Sequence, residues 1–129
     1  MEKTFIEGTE DTPRVTLDTD KNVYELYGRS LPEDAAEFYE PILNWLNELS
    51  TNKVPKMTFV VKLEYFNTTS SKLLLDILIK LEEMHSDGSD ITVHWYYYKD
   101  DADMLDAGEE FADLVEVPFE MLIYEYEKK

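Results

Sequence analysis

Residues 56–78 read Lys56-Met57-Thr58-Phe59-Val60-Val61-Lys62-Leu63-Glu64-Tyr65-Phe66-Asn67-Thr68-Thr69-Ser70-Ser71-Lys72-Leu73-Leu74-Leu75-Asp76-Ile77-Leu78, and two periodicities meet in them. Met57, Phe59, Val61, Leu63 and Tyr65 alternate along Lys56 to Tyr65, the period of a β-strand. Val60 and Phe66 add apolar character to the opposite face, which predicts a strand buried on much of both sides. From Lys72 to Met84 the pattern changes: Leu74, Ile77, Leu78, Leu81 and Met84 recur at helical spacing, and Leu73 and Leu75 widen the stripe. That segment predicts a helix set deep in the fold. Asn67 to Ser71, between the two, is wholly polar. A strand feeding directly into a helix is the building unit of α/β folds.

Reading outward supplies the remaining elements. Ser86-Asp87-Gly88-Ser89 stops the helix, and the β-branched and aromatic run Ile91 to Tyr98 predicts a second central strand. Asp100 to Glu116 carries eight acidic residues and no basic one; Met104, Leu105, Phe111, Leu114 and Val115 give it an apolar side, which predicts a helix weakened by Gly108. Pro118 then precedes a last strand, Phe119 to Tyr126.

Upstream, Val15 to Leu17 and Val23 to Tyr27 read as a hairpin turned by Asp18 to Asn22, with a further short strand at Phe5. Ser30 stands where it would cap a helix. The helix itself is marked by Ala35, Phe38, Tyr39, Ile42, Leu43, Leu46 and Leu49. Pro41 would remove one of its hydrogen bonds, predicting a kink or a fresh start at Glu40.

The order strand, strand, helix, strand, helix, strand, helix, strand predicts an α/β fold with a single mixed sheet and about three helices: parallel neighbours joined by right-handed crossovers, and an antiparallel portion from the hairpin. The 129 residues suit one domain, 1–129, without repeat or linker. Lys and Arg number 12 against 29 Asp and Glu, a formal charge of -17 that repels nucleic acid and anionic membrane and favours basic patches on another protein. The chain has no cysteine, so disulfides, thiolate zinc sites and thiol nucleophiles are excluded. No stretch approaches the ~20 apolar residues of a membrane span, and no apolar leader opens the chain, so the cytoplasm is the expected compartment.

Chemistry concentrates at the strand-to-helix junction. A helix start leaves backbone N–H groups unpaired and carries partial positive charge, so hydroxyls there cap it and a phosphate would find donors, expected in the Ser70 to Lys72 turn. Capping by Asn67, Thr68 or Thr69 is the plain structural explanation, although four consecutive hydroxyl residues exceed what one cap requires. A small hydrolase or isomerase using Thr68 or Ser70 is an alternative function; it needs a pocket with a base beside the hydroxyl.

Other constellations carry less. His85 and His94 lie on different elements with no cysteine to join them, so neither a metal site nor a Ser-His-Asp triad is supported. Asp100, Asp101, Asp103 and Asp106 resemble a cation-attracting cluster but lack the Gly position and terminal bidentate Glu of an EF-hand loop; they read as a solvated helix face, with weak divalent binding a minor alternative. Tyr96-Tyr97-Tyr98 reads as core and surface packing. No cofactor or metal is expected, and no enzymatic activity has a specific signal.

Tyr65-Phe66-Asn67-Thr68-Thr69-Ser70-Ser71-Lys72, followed by Leu74, Leu75, Asp76, Ile77 and Leu78, resembles the phosphoacceptor segment of the SiaC-type regulatory phosphoproteins. These resemble the STAS fold of anti-sigma-factor antagonists. Further matches are Ile6-Glu7-Gly8-Thr9, Thr12-Pro13, Gly28-Arg29-Ser30-Leu31-Pro32-Glu33, and Pro41 with Ile42 and Trp45. The resemblance thins in the acidic helix and the final strand.

It implies a phosphorylation-controlled interaction switch rather than an enzyme. In such a switch Thr68 is the phosphorylated position, and a Ser/Thr protein kinase and a PPM-type phosphatase set its state. The unmodified form engages an output protein typified by a diguanylate cyclase, through Asn67, Thr68, Thr69, Ser70, Ser71 and Lys72. The family's common Asn-Thr-Ser-Ser is here Asn-Thr-Thr-Ser, which makes Thr69 and then Ser70 rivals of Thr68.

Overall fold

The computed structural model describes residues 2–124. Its elements are β1 (Thr4–Ile6), β2 (Arg14–Asp18), β3 (Val23–Ser30), α1 (Ala35–Thr51), β4 (Lys56–Phe66), α2 (Thr68–Ser86), β5 (Asp90–Tyr97), α3 (Ala102–Leu114) and β6 (Phe119–Ile123). One six-stranded mixed sheet holds all the strands in the order β1-β2-β3-β4-β5-β6. The first three are antiparallel neighbours, and β3 to β6 run parallel. The α/β expectation therefore holds element by element. The last strand ends at Ile123, and its expected extension to Tyr126 lies outside the described residues.

Each parallel crossover joins adjacent strands in the same direction, so a right-handed connection puts every helix on one face. Contacts agree: Trp45 of α1 packs on Tyr24, Leu74, Ile77 and Leu78 of α2 lie against Phe59 and Val61, and Phe111 of α3 packs on Trp95. The core is the facing set of sheet residues, Val15, Leu17, Tyr24, Leu26, Phe59, Val61, Val93 and Trp95, all buried. Strand β4 thus differs from expectation. Met57, Phe59, Val61 and Leu63 are buried, while Thr58, Val60 and Lys62 are only half-buried because no helix covers their side.

Helix α1 runs unbroken through Pro41, where a kink or restart was expected. Pro41 and Glu37 are both exposed, so the carbonyl left without its N–H partner faces water and its loss costs little. The cap is Asp34, whose Oδ1 accepts the Glu37 N–H at 3.0 Å, and not Ser30, which ends β3 opposite Phe66. Gly28, at φ 120°, sits where the β3–β4 register shifts, a bulge that turns the last residues of β3. Gly108, expected to weaken α3, is what allows it to dock: a Cβ there would lie 2.5 Å from the Trp95 ring, whose Nε1 donates to the Met104 carbonyl at 3.0 Å.

Candidate functional site

Parallel strands direct their C-terminal ends, and the helix starts that follow, to one edge of the sheet. Strand β4 ends there at Phe66, and α2 begins at Thr68 with no intervening loop. Asn67 is extended, at φ -85° and ψ 174°, and caps the helix: its Oδ1 accepts the Ser70 N–H at 2.9 Å. The Asn67 carbonyl takes the Ser71 N–H at 3.0 Å. The phosphate donors expected in the Ser70 to Lys72 turn are therefore occupied at Ser70 and Ser71, and the amides left open are those of Thr68 and Thr69, the first two of the helix.

The four hydroxyls separate into distinct roles. Thr68 and Thr69 are exposed, Ser71 is half-buried, and Ser70 is 0% exposed. Among the described residues the Thr68 hydroxyl has no hydrogen-bond partner, whereas Thr69 Oγ1 donates to Asn67 Oδ1 at 3.1 Å. Ser70 was expected as a rival acceptor and a partner contact; its burial leaves it no surface for either. Lys72 is exposed one turn further on.

Ser70 instead meets two residues that sequence reasoning did not assign to the site. Its Oγ donates to the Ser30 carbonyl at 3.1 Å and lies 2.8 Å from Ser30 Oγ, which is 2.6 Å from the Tyr39 hydroxyl. The Ser30 carbonyl also receives the Asn67 N–H at 3.0 Å. Ser30 and Tyr39 are both 0% exposed. Burial pushes the Tyr39 phenol up to about 12, partly offset by its hydroxyl contacts, so it keeps its proton under ordinary conditions. Ser30 was read as a cap and Tyr39 as part of an apolar stripe. The only local signal was a polar side chain at the end of a strand, which does not announce a contact made 40 residues away.

The first turn of α2 holds no acidic residue, so nothing on the helix offsets its positive end. Beside it, Arg29 lies over the Tyr65 ring at 5.7 Å, and a recess of about 290 Å³ opens between the end of β4 (Glu64, Tyr65, Phe66) and the start of α3 (Asp101, Asp103, Met104). Among the described residues no histidine or carboxylate is hydrogen-bonded to Thr68 or Thr69. His94 pairs instead with Glu120 at 2.7 Å, and His85 engages the Ser89 carbonyl at 3.0 Å. Among the described residues no cluster of His, Asp or Glu is arranged to hold a metal, and no helix is long and apolar enough to cross a membrane. Thr68 is thus an exposed hydroxyl at a helix start whose positive end carries no acidic residue in its first turn.

The model of the SiaC family regulatory phosphoproteins matches residues 6–124. The chain belongs to the SiaC family. An uncharacterized protein of Pseudomonas aeruginosa strain UCBPP-PA14 is 29% identical over 119 residues, covering 92% of this chain and 94% of the relative. Apo-SiaC of Pseudomonas aeruginosa superposes with a TM-score of 0.86 at 29% identity, over 95% of this chain and 99% of that one. SiaC as activator in complex with the diguanylate cyclase SiaD, also from Pseudomonas aeruginosa, superposes at 0.88 with 27% identity, over 94% of this chain and 99% of that one.

Proposed function

We propose that this SiaC-family chain is a phosphorylation-controlled interaction switch of the cytoplasm, a regulator and not a catalyst. Its unmodified form binds and regulates an output protein, a diguanylate cyclase by analogy with the SiaC–SiaD complex. The observation that carries the reading is the exposed Thr68 hydroxyl, without a hydrogen-bond partner among the described residues, at the first position of a helix whose first turn lacks an acid. A Ser/Thr kinase transfers the γ-phosphoryl group of ATP to Thr68 Oγ1; the hydroxyl proton leaves and ADP is released. A PPM-type phosphatase returns the hydroxyl by hydrolysis.

The phosphate adds about -1.5 to -2 charge at neutral pH. The open Thr68 and Thr69 amides and the helix start accommodate it without rearranging the sheet. Its bulk and hydration obstruct a partner surface fitted to Asn67, Thr68, Thr69, Ser71 and Lys72. Because Thr68 makes no internal bond, the gate is local charge and shape, not unfolding.

The test incubates the chain with its kinase and ATP, maps the phosphate by mass spectrometry, and compares the affinities of wild type, phosphorylated wild type and Thr68→Ala for one output protein, with circular dichroism as folding control. Binding lost only on phosphorylation, with Thr68→Ala bound but unswitchable and all spectra alike, is the expected result. Equal affinities for all three forms refute the switch.

A further inference from the structure

The proton order in the hydroxyl chain behind the acceptor is fixed by its end point. A carbonyl can only accept, so the Ser70 hydroxyl proton is spent on the Ser30 carbonyl. Ser70 Oγ must then accept from Ser30 Oγ, and Ser30 Oγ must accept from Tyr39. The result is one directed chain, Tyr39 to Ser30 to Ser70 to the Ser30 carbonyl, running from α1 through the end of β3 into the first turn of α2. Ser30, Tyr39 and Ser70 are all 0% exposed, so loss of one member leaves its neighbour a buried polar group without that partner.

The same Ser30 carbonyl holds the Asn67 N–H, and Asn67 in turn holds the Ser70 amide and the Thr69 hydroxyl. Residues on both sides of Thr68 are thereby tied to one point of β3, while the Thr68 hydroxyl, exposed, has no hydrogen-bond partner among the described residues. We propose that Ser30 and Tyr39, acting through Ser70, are positioning residues that select Thr68 as the phosphoacceptor by pinning its neighbours. This rests on the switch reading above and adds which residues determine the site of modification. Loosening the pin frees the turn to present Thr69 or Ser71 to the kinase, and the phosphoryl group of ATP then goes to their hydroxyls instead, again with loss of the hydroxyl proton and release of ADP.

The experiment treats full-length wild type, Ser30→Ala, Tyr39→Phe and Ser70→Ala with the kinase that modifies the wild-type chain and ATP. It measures the share of phosphate on each of Thr68, Thr69 and Ser71, together with exchange of the hydrogen-bonded amides of Asn67, Ser70 and Ser71. Ile91→Val, a core truncation near the opposite end of the sheet, controls for general destabilisation. The expected result is phosphate on Thr68 in wild type and in Ile91→Val. In the three hydroxyl variants, its share at Thr69 plus Ser71 rises roughly fivefold or more, about the ratio one lost hydrogen bond sets. Exchange at the turn is about tenfold faster in the same variants as the junction opens locally. Should Ser30→Ala fail to fold, Tyr39→Phe, which removes one oxygen at the far end of the chain, carries the test.

Phosphate confined to Thr68 in every folded variant overturns the positioning role and leaves the switch standing. Equal redistribution in Ile91→Val overturns it too, since instability alone would then suffice. A wild-type chain that takes no phosphate from Asn67 to Lys72 under an active kinase overturns the switch and this inference with it.

Discussion

Two strand-to-helix junctions lie side by side at the C-terminal edge of the sheet, β4 into α2 and β5 into α3, and they are capped in the same way. Asn67 Oδ1 takes the Ser70 amide at 2.9 Å, and Asp101 Oδ1 takes the Met104 amide at 3.0 Å. Behind the caps they diverge. The third helical residue of α2 is a buried serine in a chain of hydroxyls, while that of α3 is a buried methionine whose carbonyl receives Trp95. Their rims diverge as well, with no acid in the first turn of α2 and Asp103 in that of α3. One junction is held by polar directionality and leaves its positive end open; the other is held by aromatic packing and is already compensated by charge. The same topological slot therefore yields one helix start whose positive end carries no acid and one whose end does.

The comparison breaks most readily on the aromatic side. Trp95→Ala removes the ring that packs on Phe66 and Phe111 and holds Met104, and its expected cost is about 3–5 kcal/mol in chemical denaturation. A loss no greater than that of a surface substitution would show that α3 does not depend on the ring.

The polar side shows next, in alkali. The Tyr39 phenol is raised from 10 to about 12 in the folded chain, so its contribution is fully present below pH 10 and is lost as the pH rises toward 12. That loss is on the order of 2 kcal/mol. Tyr39→Phe should flatten this part of the stability curve, and equal slopes for the two proteins between pH 10 and 12 would contradict the assignment.

The caps sharpen the contrast further. Asn67→Ala and Asp101→Ala should each cost ~1 kcal/mol, but only the Asp101 loss should shrink with added salt, because only that cap carries charge. Smallest of all, Thr68→Ala should change stability by under ~0.5 kcal/mol, since the side chain is exposed and has no hydrogen-bond partner among the described residues; a larger loss in thermal denaturation would mean that Thr68 holds the helix start.

Much of this architecture was legible in the amino-acid order. The alternation in residues 56–66 and the helical stripe from Leu74 to Met84 each report a single local period, so element type, chain order and the place of the strand-to-helix junction followed directly. Three features did not. The open face of β4 depends on all helices lying on one side, a property of the crossovers and not of the strand's own residues. Pro41 is harmless because the bond it lacks faces water, which the apolar stripe alone does not say. Gly108 reads locally as a weak helix residue, and its use appears only when Trp95 is brought against it. The junction shows the same division: a hydroxyl cluster is visible in sequence, but which hydroxyl is surface and which is core depends on Ser30 and Tyr39, placed there by long-range pairing.

The strands stand in the sheet in the order in which they leave the ribosome. Each new strand pairs with the one made just before it, so loop closure spans only neighbouring elements, and the growing edge is always the most recent one. Ser30, Tyr39, Asn67 and Ser70 all belong to the portion ending in α2. The contacts that fix this turn therefore draw on no residue of β5, α3 or β6 and close within the first four strands and two helices.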